Sequence, residues 1–208
     1  MLHYNTVEPS TVSLLKKLQS LPVLESFSLV GGTALSLRYG HRISVDLDLF
    51  CEGIFNKENV IEVLGKEFGN RFIPEISPAK WAVFCYIDNI KIDFVSFKHS
   101  LIQPLCIEDE IKMYSTADII AMKINAILGR GKKKDFWDIF ELLKHYSINQ
   151  MIEFHRAKFP SQMLLISIPN ALLYFADADE SEDPISLKGQ TWSSVKKFIS
   201  QKVNEYLK

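Results

Sequence analysis

The sequence predicts an α/β (α+β) fold, a mixed sheet with flanking helices followed by a C-terminal helical region. Short apolar runs with alternating polar positions recur between residues 27 and 97, interleaved with stretches of helical spacing. From Ser115 onward the apolar residues fall almost wholly at helical spacing. With 47% apolar residues among 208, the chain can also bury a sizeable core. The expected organisation is a sheet-bearing part over residues 1–110 and a helical part over 111–208 that packs on it and closes a pocket.

Taken in order, Ser10 or Thr11 caps a first helix in which Val12, Leu15 and Leu18 repeat at helical spacing up to Pro22. Phe27, Leu29 and Val30 read as a short strand. It stops at Gly31 and Gly32, where the missing side chains permit a sharp turn and close approach of a ligand. Thr33 heads a short helix that Gly40 ends. A second strand over residues 43–50 turns Val45, Leu47 and Leu49 to one side and Ser44, Asp46 and Asp48 to the other. Asn56 opens a helix with Val60, Ile61, Leu64 and Phe68 on one face. Residues 71–76 form a strand, and residues 80–87 and 90–97 pair across an Asp88-Asn89 turn. Ser115 with Asp118 resembles a capping box ahead of a helix whose apolar face holds Ile120, Ile124, Ile127 and Leu128. The next helix follows the basic run RGKKKD and carries Ile139, Leu142 and Tyr146 on one face. Ser147 with Gln150 caps another, and a short helical stretch from Ser161 is interrupted by Pro169. Residues 177–184 read as an acidic, solvated loop, and Thr191 caps a last helix bearing Trp192, Val195, Ile199, Val203 and Tyr206.

The chemistry concentrates in the second strand. Asp46 and Asp48 project from one face, roughly 7 Å apart at the backbone by the ~3.3 Å rise per residue. Two ionised carboxylates side by side are unfavourable unless a cation or solvent screens them, and Mg²⁺ takes one or two carboxylates together with phosphate oxygens. The strand, Gly-Gly-Thr turn and helix upstream supply a complement, because free N–H groups and the positive dipole end at a helix start attract phosphate. A Gly-Gly turn alone is common, and alternating Asp is usually the wet face of an antiparallel sheet. The two together, in this order, are far more specific.

A second cluster lies downstream. Lys123 and Arg130 fall two turns apart along the edge of one helix's apolar face. A lone lysine there snorkels to water, whereas two cations in line after an acidic sheet fit a phosphate-facing ridge. Asp135, in the first turn of the next helix, is favoured by the dipole alone, yet its place near the apolar face points to contact with Lys123 or Arg130.

The stretch GGTALSLRYGHRISVDLDLF resembles the nucleotide-binding signature of the DNA polymerase β-type nucleotidyltransferase superfamily, in the form found in the AbiEii/AbiGii toxin family. Gly32-Thr33 stands where Gly-Ser is more usual. KINAILGRGKKKDFWDIFELL is similar to that family's second signature, in which Lys and Arg on one helix precede a Lys/Arg-Asp-x-x-Asp run on the next. The resemblance implies a nucleotidyltransferase sheet over residues 1–110 and metal-dependent transfer of an NMP from an NTP to an acceptor hydroxyl, with release of pyrophosphate. It implies Asp46, Asp48 and a third acid from a later strand, Asp93, as catalytic ligands of Mg²⁺ or Mn²⁺. It also implies Lys123 and Asp135 as catalytic, Gly31, Gly32, Thr33, Ser44, Lys123 and Arg130 as nucleotide-binding, and Lys134 and Asp138 as supporting. The family further implies the toxin of a bacterial toxin–antitoxin or phage-defence pair, with a cognate antitoxin as partner and tRNA or another RNA, or a protein, as acceptor.

Two other readings compete. A glycosyltransferase uses an Asp-x-Asp pair on a nucleotide sugar, but needs neither the Gly-Gly-Thr helix start nor Asp93. A non-catalytic NTP-binding module would keep the pocket without turnover, against which the presence of all three acids and the lysine argues. A net charge of −1 gives no global pull toward nucleic acid or membrane, so RNA contact falls to a local patch such as RGKKKD. Cys51, Cys85 and Cys106 lack metal-ligand spacing and read as core residues of a reduced, cytoplasmic protein. The histidines form no zinc pattern, and neither an export signal nor an apolar run of about 18 residues is present.

Overall fold

In the computed structural model, which describes residues 1–208, seven strands form one mixed sheet. They are β1 (Ser28–Val30), β2 (Leu47–Cys51), β3 (Phe72–Pro74), β4 (Ala82–Ile87), β5 (Ile90–Ser96), β6 (Cys106–Glu108) and β7 (Ile111–Met113). The helices are α1 (Pro9–Gln19), α2 (Gly31–Tyr39), α3 (Lys57–Phe68), α4 (Thr116–Gly129), α5 (Lys133–Leu142), α6 (Ile148–Lys158), α7 (Ile168–Leu172), α8 (Ala176–Asp179) and α9 (Trp192–Tyr206). The sheet order is β3-β4-β5-β2-β1-β7-β6. Because β2 runs parallel to β5, residues far apart in the chain become neighbours, and Asp48 stands opposite Asp93. Period-2 alternation then sends Leu47, Leu49, Ile92 and Phe94 to the opposite face, where none is more than 1% exposed.

Helix caps follow the sequence closely. Asn56, Ser115, Ser147 and Thr191 each accept a hydrogen bond from the backbone N–H three residues on. The Asp88-Asn89 turn is as expected too, with both residues in the left-handed region that a two-residue hairpin requires (φ +52° and +64°).

Other elements differ from expectation for identifiable reasons. α1 begins at Pro9 after Glu8, so Ser10 and Thr11 lie inside it; proline suits a first turn whose N–H has no partner anyway. The stretch from Ser161 is not helical, and Pro169 sits in the first turn of α7 behind a Ser167 cap. The β6–β7 hairpin was not foreseen; it turns at Asp109 and Glu110, both at positive φ. The second strand is shorter than residues 43–50, because the backbone before it is held by distant partners. Ile43 N–H donates to the Ile185 carbonyl and Ser44 N–H to the Thr6 carbonyl, each at 2.9 Å. Val45 is consequently 60% exposed instead of aligned with Leu47 and Leu49.

The hydrophobic core is continuous from Leu2 to Val203. The boundary expected at residue 110 falls in the turn between β6 and β7, both of which belong to the sheet, so the later helices complete this core. Part of that closure is ionic. Lys158 pairs with Asp118 at 2.7 Å, both side chains fully buried, and also donates to the carbonyls of His99 and Ser100. Asp118 accepts from the N–H groups of Ile102 and Gln103, so the pair ties α6 and α4 to the β5–β6 connection. Of the cysteines, Cys51 and Cys85 are buried as expected, while Cys106 on the edge strand is half-buried. No helix is long and apolar enough to cross a membrane.

Candidate active site

The turn from β1 into α2 is built for close approach. Gly31 has φ +71°, and a Cβ there would lie 2.4 Å from Asp48 Oδ2; a Cβ on Gly32 would lie 2.2 Å from an Arg42 guanidinium nitrogen. The glycines therefore let the helix start press against the acidic strand and its preceding loop. Gly31→Ala should push the Asp48 carboxylate aside and strain the backbone, costing about 1–3 kcal/mol of stability and at least about tenfold in activity. Thermal melts beside transfer assays check this, and wild-type activity would contradict it.

Thr33 does not face this site. It is 1% exposed; its hydroxyl donates to the Asp46 carbonyl and shares a hydrogen bond of 2.8 Å with Ser44 Oγ. The Thr33 hydroxyl, expected at the nucleotide, is instead engaged with residues 44–46, which it ties to the start of α2.

Residues from four parts of the chain line one small polar pocket of about 120 Å³, without a single hydrophobic residue in its wall. Asp46, Asp48 and Asp93 supply negative charge, and Arg42, Lys91, Lys123, Arg130 and Lys134 positive charge; Gly32 and Ser44 complete it. Lys134 lies 3.6 Å from Asp46, and Lys91 3.2 Å from Asp93. Asp48 has neither as a partner. Burial, reinforced by the neighbouring Asp93, raises its pKa, with Lys123 opposing. Asp93 Oδ1 is buried with no hydrogen-bond donor, an unsatisfied acceptor of the kind that marks a missing ion or substrate group.

The pocket shares Arg42, Ser44, Asp46, Arg130 and Lys134 with a wider cleft of about 680 Å³. Asp177, Glu180, Glu182 and Asp183 of the acidic run line this cleft and are exposed, as a solvated acidic stretch should be. Lys133 turns away from the acids of the sheet to Asp183, at 2.7 Å.

Behind the pocket, Asp138 is fully buried and gathers three cationic or hydrogen-bonding side chains. Arg42 grips it with two nitrogens at 2.7 and 3.0 Å, His41 Nε2 lies at 2.7 Å, and Lys123 Nζ at 2.7 Å. A carboxylate only accepts, so His41 carries its proton on Nε2. Burial alone would raise the Asp138 pKa, but Arg42 and Lys123 hold it well below the usual carboxylate range. Asp135, also fully buried, takes Lys123 Nζ at 2.8 Å and the Lys132 N–H at 3.3 Å. Burial lowers the Lys123 pKa, yet Asp138 and Asp135 more than offset it, and the ammonium stays charged. Asp135 lies outside the pocket wall and contacts Lys123, as its place near the apolar face of α5 led one to expect, and also caps α5.

Arg42 and His41 carry no signal in the sequence, whereas Lys91 reads there only as sharing a wet strand face with Asp93. Arg42 follows Gly40-His41 in the loop before the acidic pair, and Lys91 lies two residues from Asp93 on one strand face. Alternation places Lys91 beside Asp93, as observed; nothing local could have paired Arg42 with Asp138.

The three acids line the pocket without forming a ready-made centre, since no group of three or more His, Cys, Asp or Glu side chains is arranged to hold a metal ion. The donor set nonetheless fits a hard divalent cation that leaves part of its shell to phosphate and water. Asp48 is destabilised by an adjacent acid, and Asp93 Oδ1 lacks a partner.

A mixed sheet with paired acids, pressed against a glycine-headed helix and faced by cations from two later helices, defines a nucleotidyltransferase. The chain belongs to the AbiEii family: residues 13–200 match the family described as nucleotidyl transferase AbiEii toxin, type IV TA system. It is 32% identical over 206 residues to the Aquifex aeolicus (strain VF5) protein aq_aa25, covering 93% of this chain and 94% of that one. Its fold is similar to that of MenT4, a nucleotidyltransferase toxin of Mycobacterium tuberculosis H37Rv, with a TM-score of 0.59 at 15% identity, over 94% of this chain and 82% of that one. A structure from H. pylori, provisionally assigned as a nucleotidyltransferase, gives 0.57 at 18% identity, over 95% and 94%.

Proposed function

We propose that the protein moves an NMP from an NTP to a hydroxyl of an RNA acceptor, releasing pyrophosphate, and acts as the toxin of a pair with a cognate antitoxin. The carrying observation is the convergence of Asp46, Asp48 and Asp93 with Lys123, Arg130 and Lys134 on one pocket. Asp46, Asp48 and Asp93 would hold Mg²⁺, which when bound neutralises charge on the transferring phosphoryl group and on the entering and leaving oxygens.

The chain's own residues do the rest. Lys123, fixed by two buried carboxylates, and the more exposed Arg130 and Lys134 bind the triphosphate and meet the charge that builds on departing pyrophosphate. The helix start at Gly31 and Gly32 brings backbone N–H groups toward the same phosphates. Asp93 Oδ1, free of donors, accepts the proton of the acceptor hydroxyl as its oxygen bonds to the α-phosphorus and the bond to the β-phosphate bridge breaks. Lys91 on the other oxygen keeps this carboxylate oriented.

Incubation with each α-labelled NTP, Mg²⁺ and total RNA tests the reading. Label should enter RNA with the wild type and fall by at least about 10³-fold with Asp46→Asn. Near-normal activity in that variant, label accepted only from nucleotide sugars, or tight NTP binding without turnover would each contradict it.

A further inference from the structure

Beyond the pocket, the sheet face that carries Asp48 and Asp93 continues as an aromatic strip. Asp48 stands opposite Asp93, Asp93 opposite Phe84, Lys91 opposite Tyr86, and Tyr86 opposite Ile73. Residues paired in this way share a face. Phe84 and Tyr86 are half-buried, and Ile73 is 57% exposed. Trp81, 54% exposed, sets its ring edge-on to Phe84 with centroids 6.2 Å apart. α3 packs beneath the other face, where Val60 and Leu64 join Cys85 and Ile87 in the core.

The two flanks of the pocket therefore differ in chemistry. Toward Arg130 and Lys134 the wall is cationic and suits a triphosphate. Past Asp93 it gives way to Lys91 and then to rings, with Lys80 exposed next to Trp81. Of the nearby acids, Asp88 is taken by Arg71 at 3.1 Å, while Glu75, exposed beside Phe84, to whose carbonyl its N–H donates, has no ion-pair partner. Three exposed or half-buried rings on an open sheet, with Lys91 at one end and Lys80 at the other, match a short run of flat bases joined by phosphates. Unpaired bases offer their faces to aromatic side chains, which the bases inside a duplex cannot do.

We propose that Trp81, Phe84 and Tyr86, with Lys91, form the stacking platform for the unpaired end of the RNA acceptor and deliver its terminal hydroxyl to Asp93. The proposal rests on the reading of Asp93 as the group that faces the acceptor. The rings set which acceptors are used, single-stranded ends over blunt duplexes, without touching the NTP.

The test titrates the intact protein, without NTP, with a labelled short single-stranded oligoribonucleotide and with a blunt RNA duplex of the same sequence. A chain carrying both Trp81→Ala and Tyr86→Ala should bind the single strand roughly 10- to 100-fold more weakly. Trp81→Phe with Tyr86→Phe, which keeps the rings, should bind it nearly as well as the wild type and controls for folding. In transfer assays the alanine variant should raise KM for the oligoribonucleotide by a similar factor and leave KM for NTP unchanged. The proposal is overturned if the wild type binds no single strand, if it binds the duplex equally well, or if the alanine variant binds like the wild type. Loss of a co-expressed protein partner with RNA binding intact would likewise overturn it, making the strip a protein interface. Ring-dependent single-strand binding without transfer would sink the transferase reading and leave the platform standing; transfer to RNA unaffected by ring removal would do the reverse.

Discussion

Asp48→Asn is expected to cut NMP transfer by at least about 10³-fold while melting at the wild-type temperature or a few degrees higher. The two effects share one cause. Asp48 faces Asp93 across the β2–β5 register, presses on Gly31 and has no cation of its own, so its charge is opposed in the free protein and useful only with a bound cation. Asparagine keeps the shape and removes the repulsion. The sign with pH follows from the raised pKa: this group's stabilising contribution is complete below the ordinary carboxylate value and is lost as pH rises through its higher folded value. The variant should lack that loss, so its advantage in stability grows from acid toward neutral pH. Melting curves across pH 3–7 with transfer assays at neutral pH check both halves. A variant that unfolds many degrees earlier, or still transfers, would mean that Asp48 is a structural residue.

What the sequence revealed and what it hid divide along physical lines. Asp48 was legible because strand alternation fixes which side chains share a face, and the caps at Asn56, Ser115, Ser147 and Thr191 because capping is local. Asp93 is reached through the family resemblance alone, and Asp46 lies just before β2, outside the alternation expected to set it beside Asp48. The direction of the Thr33 hydroxyl was not legible because residue type does not say where a hydroxyl points; its partners lie 11 and 13 residues away. Strand β2 was drawn too long for a similar reason, since the backbone of residues 43 and 44 is satisfied by Ile185 and Thr6, from opposite ends of the chain. Asp138 was seen as supporting, but its partner Arg42 is 96 residues distant. Ion pairs of that span follow from the tertiary fold and leave no periodic trace.

That hidden cluster gives the largest expected loss of stability. Asp138→Ala strands the buried guanidinium of Arg42 and removes one of two carboxylates from Lys123, which should cost about 3–5 kcal/mol and lower Tm by roughly 10 °C. Transfer should fall as well, because both cations line the pocket and lose the group that aims them. Asp138 titrates well below the usual carboxylate range, so its stabilising contribution is present above about pH 4 and fades only as pH drops below that. The gap between wild type and variant should therefore stay level from pH 5 to 8 and narrow only in acid. Charge isolation and lost packing can be told apart with Arg42→Met combined with Asp138→Leu. If the penalty is a buried charge without its partner, the double variant recovers much of the stability, while Lys123 keeps Asp135 and transfer stays low because Arg42 is gone. A double variant as unstable as Asp138→Ala would place the cost in packing, and a single variant that melts with the wild type would show that the cluster contributes little to folding.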